Sequence, residues 1–186
     1  MKKLISILLS LVILFAFSAC GKKSKKAKSN SVDFEYYAKL GQISEIPYAL
    51  GKNVDEIIDE LTSKAEENDS DEYVFNIIEG EKNVLIDNGT VLYYYSKADK
   101  EKGISYIVDF GTAFGFEIGT VSVEIKEALS DYKCTEETAT TDNAVFLYEI
   151  TDGTIYKYTF DNYVVMFVFQ ENMLFATAIY DSNYWS

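Results

Sequence analysis

Ile155-Tyr156-Lys157-Tyr158-Thr159-Phe160-Asp161-Asn162-Tyr163-Val164-Val165-Met166-Phe167-Val168-Phe169 is the stretch that decides how this chain folds. β-Branched and aromatic residues fill both arms, and Asp161-Asn162 is a two-residue turn signal, so an antiparallel hairpin is predicted. A turn of that length pairs Phe160 with Tyr163, Tyr158 with Val165 and Tyr156 with Phe167. A second turn at 171–172 returns Met173–Tyr180 and sets Ala176 beside Phe167 and Ala178 beside Val165. The face combining those aromatics with two alanines is expected to be the core, because alanine lets a helix lie close. The opposite face carries Lys157 and Thr159, but also Val164, Met166, Val168, Phe175, Thr177 and Ile179.

Upstream of this hairpin, a unit recurs at an offset of 68 residues. Leu50-Gly51-Lys52-Asn53-Val54-Asp55-Glu56-Ile57-Ile58-Asp59-Glu60-Leu61 aligns with Ile118-Gly119-Thr120-Val121-Ser122-Val123-Glu124-Ile125-Lys126-Glu127-Ala128-Leu129. Both read as amphipathic helices. Val54, Ile57, Ile58, Leu61 and Ala65 form one stripe, with Asn53 and Glu56 as a capping box; Val121, Ile125, Ala128, Leu129 and Tyr132 form the other. Four strand-like runs follow each helix. They are Tyr73–Ile78, Asn83–Asp87, Thr90–Ser96 and Gly103–Phe110, then Val145–Ile150, Thr154–Phe160, Tyr163–Phe169 and Met173–Tyr180. Asn88-Gly89 occupies the turn place that Asp161-Asn162 holds in the second unit. The expected class is α+β: two tandem units, 45–117 and 118–186, each an N-terminal helix followed by a four-stranded antiparallel meander.

In the first unit, Val84, Ile86, Val91, Tyr93, Tyr95 and Ile107 fall opposite Leu85, Leu92, Tyr94, Tyr106 and Val108. Each sheet thus has apolar residues on both faces and one local helix to cover them. Either the second faces are exposed and mark a partner site, or the units bury them against each other or under residues 33–50.

Ahead of both units stands a different kind of segment. Met1-Lys2-Lys3, the apolar run Leu4 to Phe17, and Phe17-Ser18-Ala19-Cys20-Gly21 together make an export signal. The cysteine directly after Ser-Ala is the mark of a bacterial lipoprotein signal. Residues 1–19 are then cleaved, and Cys20 carries a diacylglyceryl group and becomes the N-terminus; two acyl chains give stable anchoring. Residues 20–44 are expected to form a flexible, lysine-rich tether, with Lys22, Lys23, Lys25, Lys26 and Lys28 close to the lipid. From Val32 onward all 30 acids face only ten lysines, a net charge of −20. The expected location is the outer face of the plasma membrane. Nucleic acid is disfavoured as a partner, since no basic face is offered.

The chain has no His and no Arg. That excludes Ser-His-Asp and Cys-His catalysis, the commonest metal ligand, and bidentate phosphate clamping. Gly111-Thr112-Ala113-Phe114-Gly115 lacks the spacing and lysine of a phosphate loop, and no cofactor is expected. Glu66–Glu72 is acidic but lacks the order of a calcium loop, so no metal is expected there. Once Cys20 is acylated, Cys134 has no disulfide partner within the chain.

Residues 45–181 resemble the fold of beta-lactamase inhibitory protein and the related small lipoprotein of the outer-membrane assembly machinery. The residues that carry the resemblance are Leu50-Gly51, Ile118-Gly119 and the run Ile155–Tyr180. It implies two sheets joined into one surface that grips a protein. This chain departs from the inhibitor in lacking its disulfides and any histidine, so no inhibitory residue is carried over. The expected function is a lipid-anchored, non-enzymatic protein-binding module, of the inhibitor or immunity type. Its expected anchors are Tyr93, Tyr95, Ile107, Val164, Met166, Val168, Phe175 and Ile179, with an acidic rim selecting a basic partner. Two alternatives remain: an envelope carbohydrate hydrolase using paired carboxylates, and a small-ligand receptor lipoprotein.

Overall fold

The computed structural model describes residues 32–68, 75–140 and 153–185. They belong to one compact unit, Ser31–Ser186. The signal, Cys20 and the lysine cluster, and the predicted strand Val145–Ile150, lie outside the described residues.

The helices are α1 (Phe34–Lys39), α2 (Val54–Asn68) and α3 (Ser122–Ala128). The strands are β1 (Asn76–Glu79), β2 (Asn83–Asp87), β3 (Val91–Ser96), β4 (Tyr106–Asp109), β5 (Cys134–Thr138), β6 (Gly153–Phe160), β7 (Tyr163–Gln170) and β8 (Met173–Asp181). The architecture is α+β, with all eight strands in one antiparallel sheet of order β1-β2-β3-β4-β8-β7-β6-β5. Two separate sheets are therefore not formed; β4 and β8 pair along Tyr106–Asp109 and join the halves. Among the described residues no helix is long and apolar enough to cross a membrane.

Local chemistry places the helices. The Asn53 side chain accepts hydrogen bonds from the N–H groups of Asp55 and Glu56 at 2.8 and 3.2 Å, which starts α2. The Glu56 side chain does not reach back to complete a capping box; it pairs with Lys52. Val54, Ile57 and Leu61 then turn one buried stripe to the sheet. In α3 only Ile125 is buried, with Leu129 just beyond its end, whereas Val121 and Ala128 of the predicted stripe are exposed.

Residues 33–44, expected to be tether, are part of the folded body. Asp33 caps α1 by accepting from the Tyr36 N–H at 3.0 Å, and α1 lies against β6 and β7. Phe34 is the hub of an aromatic cluster, its ring 4.9 Å from Phe114, 5.3 Å from Tyr132 and 5.5 Å from Tyr158. Edge-on contacts of this kind suit the ring quadrupole. Only one face of the sheet receives α1, α2 and α3, and it forms the larger core.

The β6–β7 register is as predicted, with Phe160 opposite Tyr163, Tyr158 opposite Val165 and Tyr156 opposite Phe167. The β7–β8 register departs from the expectation. Gln170 pairs with Met173 and Phe169 with Leu174, but Val168 then faces Ala176 because a bulge takes up Phe175. Every later residue of β8 therefore changes face. Thr177 and Ile179 turn toward the helices, while Ala176 and Ala178 turn to the second face beside Val168 and Met166.

Gly51 and Gly119, which precede the two longer helical segments, occupy equivalent settings. Both have positive φ, +82° and +89°. The Gly51 N–H donates to Ile104 O and the Ile104 N–H to Lys52 O; the Gly119 N–H donates to Leu174 O and the Leu174 N–H to Thr120 O.

Candidate protein-binding surface

The eight residues expected to grip a partner do not share an exposed face. Tyr93, Tyr95, Ile107 and Ile179 belong to the helix-covered core. Tyr93 is 1% exposed, with the Tyr48 ring 5.5 Å away. The two faces of β2, β3 and β4 divide as expected, and the face of Tyr93, Tyr95 and Ile107 is the covered one: Ile43–Leu50, within the expected cover 33–50, and α2 lie over it. Val164, Met166 and Val168 lie on the second face in a smaller buried cluster with Tyr106, Val108, Ile155, Ala176 and Ala178. Trp185 packs across part of that cluster, 5.0 Å from Tyr106 and 6.2 Å from Tyr94, and its indole N–H donates to Ser105 Oγ at 3.0 Å. Of the expected anchors only Phe175, 37% exposed, stands at the surface.

Phe175 is part of an apolar patch whose other members were not singled out. The segment after Gly119 runs antiparallel to the start of β8, so Val121 bridges Met173. Ile118, Val121, Val123, Met173 and Phe175 are all exposed around this junction. The half-buried Phe110 ring meets Phe175 at 5.9 Å and links the patch to the second-face cluster. The sequence signal for this site is the apolar lead of the α3 segment, of which Val121 is expected in the buried stripe and is instead exposed.

The sheet's two edges differ in chemistry. β5, Cys134-Thr135-Glu136-Glu137-Thr138, carries two glutamates, paired with Lys126 at 2.8 Å and Lys157 at 2.7 Å. Its Cys134 stands opposite Tyr158, whose phenol is pushed up by burial and by the neighbouring thiol. β1, Asn76-Ile77-Ile78-Glu79, is exposed along its whole length.

One carboxyl is strongly perturbed. Asp109 is 3% exposed, and burial raises it from 3.8 to about 6. The Gly111 N–H, donating to its Oδ1 at 3.1 Å, opposes the rise, and the charge of Glu45 adds to it. Among the described residues its Oδ2 has no hydrogen-bond partner, nor has Oγ1 of Thr177, the residue directly opposite on β8. Glu45 is itself engaged: Oε2 accepts from the Phe114 N–H at 2.7 Å and Oε1 from the Gly115 N–H at 2.9 Å. Phe114 and Gly115 are the positive-φ centre of a tight turn closed by reciprocal Ala113–Phe116 bonds. Thus one acid is buried and the other clamps a turn, which gives neither the open approach that glycoside hydrolysis needs. Among the described residues no three His, Cys, Asp or Glu side chains converge as a metal site. Comparison with known protein families, with curated proteins and with solved structures finds no match for this chain.

Proposed function

We propose that this chain is a lipid-anchored, non-enzymatic protein-recognition module held on the outer face of the plasma membrane. The observation that carries the reading is the apolar patch of Ile118, Val121, Val123, Met173 and Phe175, grouped where the Gly119 segment meets β8. Grouped exposed side chains of this size are a recognition feature, whereas scattered ones need no explanation. Cys20 in its signal context supplies the anchor, and the net charge of −20 from Val32 onward favours a basic partner. The finer architecture belongs to the same proposal: two helix-plus-meander units, related by duplication, fused across β4 and β8. The matched hydrogen bonds of Gly51 with Ile104 and Gly119 with Leu174 support it.

Two measurements test this. Cys20→Ser is expected to abolish acyl labelling and release the protein from the membrane fraction; retention of label would refute the anchor. A photo-crosslinking residue at position 175 is expected to capture a discrete protein in intact cells, and one at the exposed Tyr36 is not. Equal capture at both positions would refute the patch.

A further inference from the structure

We propose that β1 is a docking edge at which an extended, basic peptide segment of a partner protein adds to the sheet as a further strand. The inference rests on the protein-recognition reading and names a second, separate surface for it.

Backbone geometry comes first. The Gly80 N–H donates to Asn83 O at 2.9 Å, so residues 80 and 83 form a hydrogen-bonded pair. Antiparallel alternation then makes Ile78–Leu85 and Asn76–Asp87 the bonded pairs of β1 and β2. The N–H and C=O groups of Ile77 and Glu79 point the other way, off the sheet. Among the described residues nothing bonds to them.

Side chains come second. Ile77 is 46% and Ile78 52% exposed, and they lie on opposite faces, opposite the buried Ile86 and the half-buried Leu85. An added strand would extend both faces, laying one apolar side chain against each isoleucine. Folded proteins ordinarily guard such an edge with charge, proline or a bulge. β5 is guarded by paired glutamates; β1 has no such device in its centre.

Charge selects the occupant. Residues 65–81 contain seven acids and no lysine, and among the described residues Glu79 at the edge is joined by Lys97 alone, at 2.8 Å. Pairing β1 with a second copy would bring two such sequences together, and facing like charges oppose that. A segment of alternating apolar and Lys or Arg residues meets both requirements.

The test is an NMR titration of the full chain in detergent micelles with an end-capped nonapeptide of alternating valine and lysine. Its control is the same peptide N-methylated along one edge, which keeps the charge and side chains but cannot extend a sheet. The expected result is slowed exchange of the Ile77 and Glu79 amides, with the methylated peptide binding roughly tenfold or more weakly. Ile77→Pro removes an outward N–H and one apolar contact while sparing the β1–β2 bonds, and is expected to abolish binding, whereas Phe175→Ala leaves it unchanged. Equal binding of both peptides, shifts confined to the Phe175 patch, or no saturable binding would overturn the proposal. So would sedimentation showing a dimer with the Ile77 amide protected, since a second copy would then be the occupant. Crosslinking at position 175 is independent of β1, so failure at the edge is distinguishable from failure of the wider reading.

Discussion

Asp109→Asn should make this protein more stable at pH 7.5 and leave it unchanged at pH 4. The reason is a charge buried without compensation. Asp109 and Thr177 stand opposite each other on β4 and β8, and among the described residues neither Asp109 Oδ2 nor Thr177 Oγ1 has a hydrogen-bond partner. A protonated Asp109 brings no charge into the interior; an ionised one does, and it also meets the charge of Glu45. Burial accordingly raises the carboxyl from 3.8 to about 6. At about 1.36 kcal/mol per pH unit, that gap corresponds to about 3 kcal/mol at neutral pH. The sign follows from proton uptake. Between about pH 4 and 6 the folded chain holds a proton that the unfolded chain has released, so the contribution of this group is intact below pH 4. It is lost as pH climbs toward 6 and stays lost above. Asparagine keeps an oxygen for the Gly111 N–H and brings no charge into the buried site. Urea unfolding, followed by far-ultraviolet circular dichroism, should show the variant ahead by up to about 3 kcal/mol at pH 7.5 and level near pH 4. The comparison with wild type at each pH cancels the exposed lysine–carboxylate pairs. An equal difference at both pH values, or a variant weaker at pH 7.5, would refute the buried-charge argument.

Three further outcomes are expected. Tyr93→Ala, which empties a site 1% exposed beside Tyr48, should cost about 3–5 kcal/mol, whereas Phe175→Ala should cost under about 1 kcal/mol; similar losses in chemical denaturation would contradict the two placements. Gly103→Ala should cost about 2 kcal/mol or more, because φ is +79° and the new methyl meets the backbone of Gly51 and Lys52; an unchanged melting temperature would refute it. Glu45→Ala should free the Gly115 N–H and leave that of Phe114 to Ser44 Oγ alone, cost about 1–2 kcal/mol and speed Gly115 amide exchange most, and unchanged protection would show that the turn holds itself.

How much of this fold could be read from sequence depended on which error a turn introduced. The β2–β3 turn is centred on Gly89-Thr90, one residue beyond the expected Asn88-Gly89, and this displaces the register by two. A shift of two keeps every side chain on its face, so the division of Tyr93 and Tyr95 from Leu92 and Tyr94 survived. The bulge at Phe175 displaces β8 by one, and all its later residues changed sides. No Gly or Pro marks positions 173–176, so nothing local announced it. β5 was missed for another reason. An edge strand with little burial on either face needs no apolar alternation, and Cys134-Thr135-Glu136-Glu137-Thr138 reads as a loop. Phe34 was missed because the basic, low-complexity run ends only a few residues before it.

The surface was harder to read than the fold, since a strand with apolar residues on both faces does not say which face is covered. Burial of Tyr93 and Ile107 depends on α1, α2 and the Ile43–Leu50 segment converging on one side; residues 33–50 are an expected alternative cover, but the choice between cover and exposure is tertiary and has no local signature. Phe175 escaped burial through the same irregularity that defeated the register. At a bulge two consecutive residues oppose one, here Phe175 and Ala176 opposite Val168, and the strand bends locally. Ala176 takes the inner place and is fully buried, so the larger ring is carried to the margin, against Phe110 and near Met173. In a regular strand the ring would have fallen over the second-face cluster beside Val168 instead. The bulge therefore does two things at once: it sends Thr177 beneath the helices, opposite Asp109, and it puts the Phe175 ring at the surface.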